Sequence, residues 1–136
     1  MISIELLKDP QRAGLKRLPA GVDVAALGTA AGLKGFAADL SGATTLDGAY
    51  AVLAGAMAFP DWFGNNLDAL MDCLTDMSWA EAPGYLLLLT GTAPLANADP
   101  AGFADLLEVL DAACEPWRGD NIPFWVLADV TALQDA

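Results

Sequence analysis

Residues 59–79, FPDWFGNNLDALMDCLTDMSW, constrain the fold of this chain more than any other stretch. The aspartates Asp68, Asp72 and Asp76 are spaced four residues apart, so in an α-helix all three project from one side. The other side of that helix carries an apolar stripe made of Leu67, Leu70, Leu74 and Met77. The spacing therefore predicts an amphipathic helix with one buried face and one carboxylate face.

The carboxylate face works against the folding of its own helix. Like charges four residues apart destabilise an isolated helix by about 0.2–0.5 kcal/mol per pair. No Lys or Arg occurs anywhere between residues 35 and 115 to offset this repulsion. We interpret the face as a surface for a basic partner outside the chain. A solvated face that only keeps the protein soluble remains the alternative.

Composition narrows the class of partner. The chain has 136 residues, which is enough for one domain with its own core, and its 55% apolar content excludes a disordered acidic tail. The net charge of −12 argues against nucleic acid, whose phosphates are bound through Lys and Arg. It also disfavours an anionic membrane surface. A basic protein is the partner that this charge favours.

The cysteines and the N-terminus bear on location. Two cysteines, Cys73 and Cys114, do not form a disulfide framework. The opening MISIELLKDP lacks the apolar core of a secretory signal, and the longest apolar run, residues 85–89, is too short to cross a bilayer. We expect a cytoplasmic protein with reduced thiols, and a monomer when it is free.

The sequence contains few of the residues and motifs that are typical of enzymes. The chain contains no histidine, which removes the usual general base and metal ligand, and no nucleotide-binding motif is present. Asp68 and Asp72 leave open a carboxylate-based, Mg²⁺-dependent hydrolase as a third hypothesis. We expect a protein that is not an enzyme and that uses no metal or cofactor.

Periodicity and capping residues predict the order β-α-α-β-α-β after residue 33. This order favours an α/β fold with a small parallel three-stranded sheet covered by helices. The predicted strands are residues 34–40, 85–90 and 123–130, and the predicted helices are 45–57 capped by Thr45, 67–78 capped by Asn66 and 100–114 capped by Asp99, with a loop at 92–100.

The first 32 residues are harder to interpret. Residues 2–7 suggest a short strand, and residues 22–27 suggest another strand or a helical turn. Prolines and glycines interrupt the segment between them. We expect residues 1–32 to form an extension, adding a layer or an edge hairpin to a domain at residues 33–136, so that the chain is a single domain overall.

Residues 60–74 follow the pattern P-[DE]-aromatic-aromatic-G-x-N-L-D-A-L-x-D-C-L. This pattern resembles the barstar family, whose members inhibit bacterial ribonucleases inside the cell, and a weaker similarity extends over about residues 33–130. The resemblance implies a barstar-like fold in two or three layers. It also implies an inhibitor that blocks the active site of a basic ribonuclease or nuclease toxin with an acidic helix and the loop before it.

The resemblance also implies roles for individual residues. Asp72 matches the family aspartate that occupies the phosphate site of the nuclease, Asp68 matches a second anionic contact, and Trp62 matches an aromatic residue over the active site. Met71 stands where the family has tryptophan, and Ala112 where it has glutamate, which leaves open a target other than barnase. The candidate partner-binding residues are Trp62, Gly64, Asn66, Leu67, Asp68, Met71, Asp72 and Asp76.

One alternative from a different class stays open. An acidic interaction module that binds a basic surface other than a nuclease has the same charge pattern. A pull-down from the native host distinguishes the two hypotheses, because only an inhibitor of this family is expected to retain a nuclease.

Overall fold

A four-stranded parallel sheet forms the centre of the computed structural model, which describes residues 1–136. The strands are β1 (Leu15–Arg17), β2 (Lys34–Asp39), β3 (Tyr85–Thr90) and β4 (Phe124–Ala128), in the spatial order β1-β4-β3-β2. All three neighbouring pairs are parallel. The predicted parallel α/β fold is confirmed, but the sheet has four strands rather than three.

The helices form where the capping residues predict them. Thr45, Asn66 and Asp99 each accept a hydrogen bond from the backbone amide three residues later, at 3.1, 2.8 and 2.9 Å. The helices are α1 (Ile4–Leu7), α2 (Val24–Ala30), α3 (Leu46–Met57), α4 (Leu67–Asp76), α5 (Ala93–Ala98) and α6 (Pro100–Gly119), and a 3-10 turn spans Ser78–Ala80.

The two central strands bury side chains on both faces of the sheet, as the apolar run of β3 predicts. Leu87 and Val126 belong to the larger core, which includes residues of α3, α4 and α6. Leu86 and Trp125, which are their sequence neighbours, belong to a smaller core with residues of α1 and α2. Because successive side chains of a strand point to opposite faces, the helices cover the sheet on both sides.

The topology explains this division. The connections from β2 to β3 and from β3 to β4 step across the sheet in one direction, whereas the connection from β1 to β2 returns in the other. Crossovers between parallel strands are right-handed, so reversing the direction moves the connecting helix to the opposite face. Helix α2 therefore lies on the face away from α4. Gly28 allows this close packing, since a Cβ there would lie 2.5 Å from a methyl group of Leu86.

The N-terminal segment differs from the prediction in two respects. A helix, α1, replaces the strand expected at residues 2–7, because the Ser3 hydroxyl accepts from the amide of Leu6 at 3.1 Å and caps it. Of the two alternatives predicted at residues 22–27, the structure has the helical one, in a helix that is capped by Asp23. The expected edge hairpin is absent, since the added strand β1 pairs in parallel with β4.

Three boundaries in the second half of the chain also differ. Helix α4 ends at Asp76, two residues earlier than predicted, because Met77 adopts a left-handed conformation. Helix α5 replaces part of the loop predicted at residues 92–100. Helix α6 continues past the predicted end at residue 114 to Gly119, since Pro116 lies in its last turns and removes only one backbone donor. No helix in the structure is both long enough and apolar enough to span a bilayer.

Candidate functional site

Helix α4 is fixed to the core along one face. Leu70, Cys73 and Leu74 are fully buried there, and the helix packs against α6. The indole N–H of Trp117 on α6 donates to the carbonyl oxygen of Leu74 at 2.8 Å. The amphipathic helix predicted from the sequence is thus present, with its apolar stripe turned inward.

The opposite face presents the three aspartates to solvent. Asp68, Asp72 and Asp76 are all exposed, and none of them forms an ion pair. The two ion pairs of the structure join Arg17 to Asp135 and Arg118 to Glu115. The repulsion within the acidic face is therefore not relieved by tertiary contacts, just as it is not relieved by nearby sequence.

Charge is segregated at the level of the whole chain. Five of the six cationic residues lie within the first 34 residues, together with only three acids. The rest of the chain carries a single cation, Arg118, and fifteen acids. Lys8 caps the end of α1, which packs on the sheet face away from α4, whereas Lys16 and Arg17 lie on β1 and Lys34 lies on β2.

The loop before α4 is held by the cap residue. The side-chain amide of Asn66 donates to the carbonyl oxygen of Gly64 at 3.2 Å, while its oxygen accepts from Ala69. The left-handed residue of this loop is Asn65, the neighbour of Gly64, with φ of 53°. A Cβ at Gly64 would approach no atom closer than 3.4 Å, so glycine there is not demanded by crowding.

Strained backbone positions flank the acidic helix. Ala58, Asn65 and Met77 all have φ between 52° and 53°, the left-handed region that costs a residue with a side chain about 1–2 kcal/mol. Ala58 ends α3, Asn65 precedes the cap of α4, and Met77 ends α4. Strain of this kind persists only where the surrounding contacts enforce it, and it clusters at functional sites.

Trp62 is the one large aromatic side chain that the loop exposes, with 54% of its surface accessible. Its ring meets that of Trp79 edge to face, with centroids 6.5 Å apart. The sequence did not indicate this contact, because Trp62 and Trp79 lie at opposite ends of the 59–79 stretch and only the fold brings them together.

The predicted partner-binding residues divide by exposure. Leu67 and Met71 are half-buried and also pack against the larger core, so they lie at the border between the two faces of α4. The exposed members are Trp62, Gly64, Asn66, Asp68, Asp72 and Asp76. These eight residues belong to one short segment, and the structure places most of its polar side chains in solvent.

Helix α6 carries Ala112, the position at which the barstar resemblance implies a glutamate. Ala112 is exposed. The carboxylate of the adjacent Asp111 accepts a hydrogen bond from the amide of Leu15 at 3.2 Å. Arg118 likewise donates to the carbonyl oxygen of Ala13 at 2.6 Å. Both α6 side chains thus hold the N-terminal segment, a role that the sequence did not reveal.

The buried side of α4 responds to the charge on its exposed side. Burial, followed by the charges of Asp72 and Asp76, raises the pKa of the Cys73 thiol to about 11. A thiol with this pKa stays protonated at neutral pH and is a poor nucleophile or metal ligand. No cluster of three or more potential ligands that could hold a metal ion occurs in the structure.

A family profile described as "Barstar (barnase inhibitor)" matches residues 33–129, which include α3, α4, α6 and strands β2 to β4. The chain belongs to the barstar family. The matched region contains α4, which carries most of the barstar pattern identified in the sequence. The N-terminal elements α1, β1 and α2 lie outside the matched region.

A relative in Bacillus subtilis (strain 168), the "Putative ribonuclease inhibitor YrdF", is 41% identical over 63 residues. The match covers 46% of this chain and 65% of that protein, so the chain spans just under two thirds of its relative. The description of the family and the name of this relative both refer to inhibitors of ribonucleases.

Proposed function

We propose that this barstar-family protein inhibits a basic ribonuclease by placing the acidic face of α4, and the loop that precedes it, in the active-site cleft. The observation that carries the proposal is the row of exposed aspartates, Asp68, Asp72 and Asp76. None of them forms an ion pair with a cation of the chain. A ribonuclease cleft is lined with cations that bind RNA phosphates. Carboxylates presented in a row offer such a cleft the same charge and the same acceptor oxygens.

The proposed inhibitor acts by occupying the cleft, and no bond is formed or broken. Each aspartate accepts charge-assisted hydrogen bonds that the nuclease would otherwise make to phosphate, so the substrate is excluded by occupancy and by charge. Trp62 supplies apolar contact area beside the charges, which suits an aromatic anchor at an interface. The fixed face of α4 makes the surface rigid before binding, and this lowers the entropy that association costs.

The proposal extends to the kind of nuclease that the protein inhibits. Met71 and Ala112 replace two side chains of the family pattern, so we propose a basic nuclease other than barnase, such as a toxin nuclease for which this protein provides immunity. We further propose that the free protein is a cytoplasmic monomer. The two free, buried cysteines suit a reducing compartment, and size-exclusion chromatography tests the oligomeric state.

A ribonuclease inhibition assay tests the proposal. The wild-type protein is titrated against a panel of barnase-like and toxin nucleases, alongside Asp72→Asn and the control Glu5→Gln. Both variants remove one negative charge, but Glu5 lies on α1, on the sheet face away from α4. We expect inhibition by wild type and Glu5→Gln and a large loss for Asp72→Asn. Equal inhibition by all three proteins would reject the proposed surface.

Ionic strength provides a second arm of the assay. Attraction between exposed charges is screened over about 8 Å at physiological salt and over about 3 Å at 1 M. The association rate with the cognate nuclease is expected to fall steeply as salt rises, while the dissociation rate changes less. An association rate that does not depend on salt would argue against recognition through the acidic face.

A further inference from the structure

Five aromatic side chains form a continuous row beneath and beside the loop that precedes α4. The row runs from Tyr50 to Phe63, Phe59, Trp79 and finally Trp62, with successive centroid distances of 6.1, 4.9, 6.0 and 6.5 Å. All four contacts are edge to face, the arrangement that aromatic quadrupoles favour. The row begins in the core, where Tyr50 is buried, and ends at the surface with Trp62.

Trp79 is the member that ties the row to the backbone. It lies in the 3-10 turn after α4, and its indole N–H donates to the carbonyl oxygen of Met57 at 3.0 Å. Met57 is the last residue of α3, so this bond joins the segment after α4 to the end of the helix before the loop. The loop carrying Trp62 is thereby closed between two fixed points that lie 22 residues apart in sequence.

Trp62 depends on this anchor for its orientation. Its ring is more than half exposed, and Trp79 is the only aromatic ring in contact with it. An exposed indole without a fixed neighbour samples several rotamers, and binding must then select one of them at an entropic cost. With Trp79 in place, one edge-to-face arrangement is favoured before any partner arrives.

We propose that Trp79 is a positioning residue that sets the direction of the Trp62 ring on the partner-binding surface. The inference rests on the proposed function, in which Trp62 contacts the nuclease. Trp79 itself makes no contact with the partner and acts on affinity through Trp62. Because Trp79 orders the free protein, its loss mainly speeds dissociation of the complex, whereas charge-driven association is retained.

The first experiment needs no nuclease. The protein is labelled with 5-fluorotryptophan, and the Trp62 resonance is assigned from the variant Trp62→Phe. We expect Trp79→Leu to shift or broaden the Trp62 resonance. The control is Trp125→Phe, which removes a comparable indole bond, to the carbonyl oxygen of Leu7 at 2.9 Å, on the other face of the sheet. A Trp62 resonance that is unchanged in Trp79→Leu would overturn the inference.

The second experiment is a double-mutant cycle on the inhibited nuclease. We expect Trp79→Leu to raise the dissociation constant roughly 3- to 10-fold, the range of one aromatic pair. Adding Trp79→Leu to Trp62→Ala should change it by less than about twofold, because the residue it positions is gone. Multiplicative effects of the two changes would show that Trp79 acts independently and would overturn the positioning role.

Two further measurements distinguish the loss of ring positioning from a damaged fold and from a failure of the proposed function. Urea unfolding checks that Trp79→Leu is folded, and Trp79→Phe, which loses only the N–H donor and part of the ring, replaces it if it is not. Should the wild-type protein inhibit no ribonuclease, the proposed function fails together with the affinity effect. The fluorine spectra would still decide whether Trp79 orients the Trp62 ring.

Discussion

Trp117 donates its indole N–H to the carbonyl oxygen of Leu74 at 2.8 Å, and so satisfies one of the last free carbonyls of the acidic helix α4. Two other tryptophans do the same for other helices. Trp79 bonds the final residue of α3, and Trp125 bonds the final residue of α1. Carbonyl groups at three helix ends therefore accept hydrogen bonds from tryptophan side chains elsewhere in the chain. These bonds fix each helix to the element that carries the tryptophan.

Substitution of Trp117 by Phe tests this relationship. The change leaves the Leu74 carbonyl without its donor and weakens the aromatic contacts with Tyr85 and Phe124. We expect the free energy of unfolding in urea to fall by about 1–3 kcal/mol, the cost of an unsatisfied buried acceptor. The matched control is Trp62→Phe at an exposed position, which should change stability by less than about 0.5 kcal/mol.

Asp72→Asn is expected to move stability and affinity in opposite directions. It removes the repulsion of residue 72 with Asp68 and with Asp76, so the free energy of unfolding in urea should rise by about 0.4–1 kcal/mol at low salt. Binding to the cognate nuclease should weaken by about 3–5 kcal/mol, the cost of breaking a desolvated charge pair. A variant that loses affinity together with stability would point to a damaged fold instead.

Ala58→Gly is expected to stabilise the protein. Ala58 ends α3 with φ of 53°, a conformation that glycine adopts without strain, so we expect a gain of about 1 kcal/mol. The control is Ala51→Gly, at an exposed position within the same helix, where glycine should instead cost about 1 kcal/mol. Urea titration of both variants measures the two changes, and the same sign for both would contradict the role of the left-handed cap.

Stability is expected to depend on pH above 9 through Cys114. Burial, followed by the charge of Asp111, raises the pKa of this thiol from 9.0 to about 12. Between these values the unfolded chain has lost the proton and the native state retains it, so stability is full below pH 9 and falls as the pH rises. At pH 10 the loss amounts to about 1 kcal/mol.

The variant Cys114→Ala isolates this contribution. Its unfolding free energy should fall less between pH 8 and pH 10 than that of the wild type, whatever its absolute stability. Parallel pH profiles for the two proteins would assign the decline to other groups. Urea titrations at each pH give the required free energies.

We propose that residues 1–32 fold together with residues 33–136 as a single domain. Leu7 is fully buried against the smaller core, so Leu7→Ala should lower the free energy of unfolding by about 2–4 kcal/mol in one cooperative transition. The control Val22→Ala shortens an exposed side chain of the same segment and should have little effect. Two separate transitions, or equal effects of the two variants, would show that the extension is not integrated.

Elements whose signals are local were predicted well from the sequence. Thr45, Asn66 and Asp99 cap helices because a side-chain oxygen reaches an amide three residues away, which requires no tertiary partner. The continuous apolar run of β3 likewise predicts a strand that is buried on both faces. The acidic face of α4 follows from helical periodicity alone.

Elements that depend on distant contacts were missed. Strand β1 has only three residues, and it exists because it pairs with β4, more than a hundred residues later. The bond from Asp111 to the Leu15 amide spans 96 positions, and the anchoring of Trp79 to Met57 spans 22. No local pattern encodes such partners, so the N-terminal layer and the support of Trp62 became visible only in the folded chain.

Five of the six cations lie in the first 34 residues and none lies on or beside the acidic helix, so the uneven charge gives the proposed inhibitor an electric dipole. In the field of a positively charged enzyme such a molecule experiences a torque as well as an attraction. In the proposed complex, the negative pole, which carries Trp62 and the aspartates, turns toward the enzyme before the surfaces touch. A larger share of collisions is then productive, so the distribution of charge contributes to the speed of capture beyond what the total charge provides.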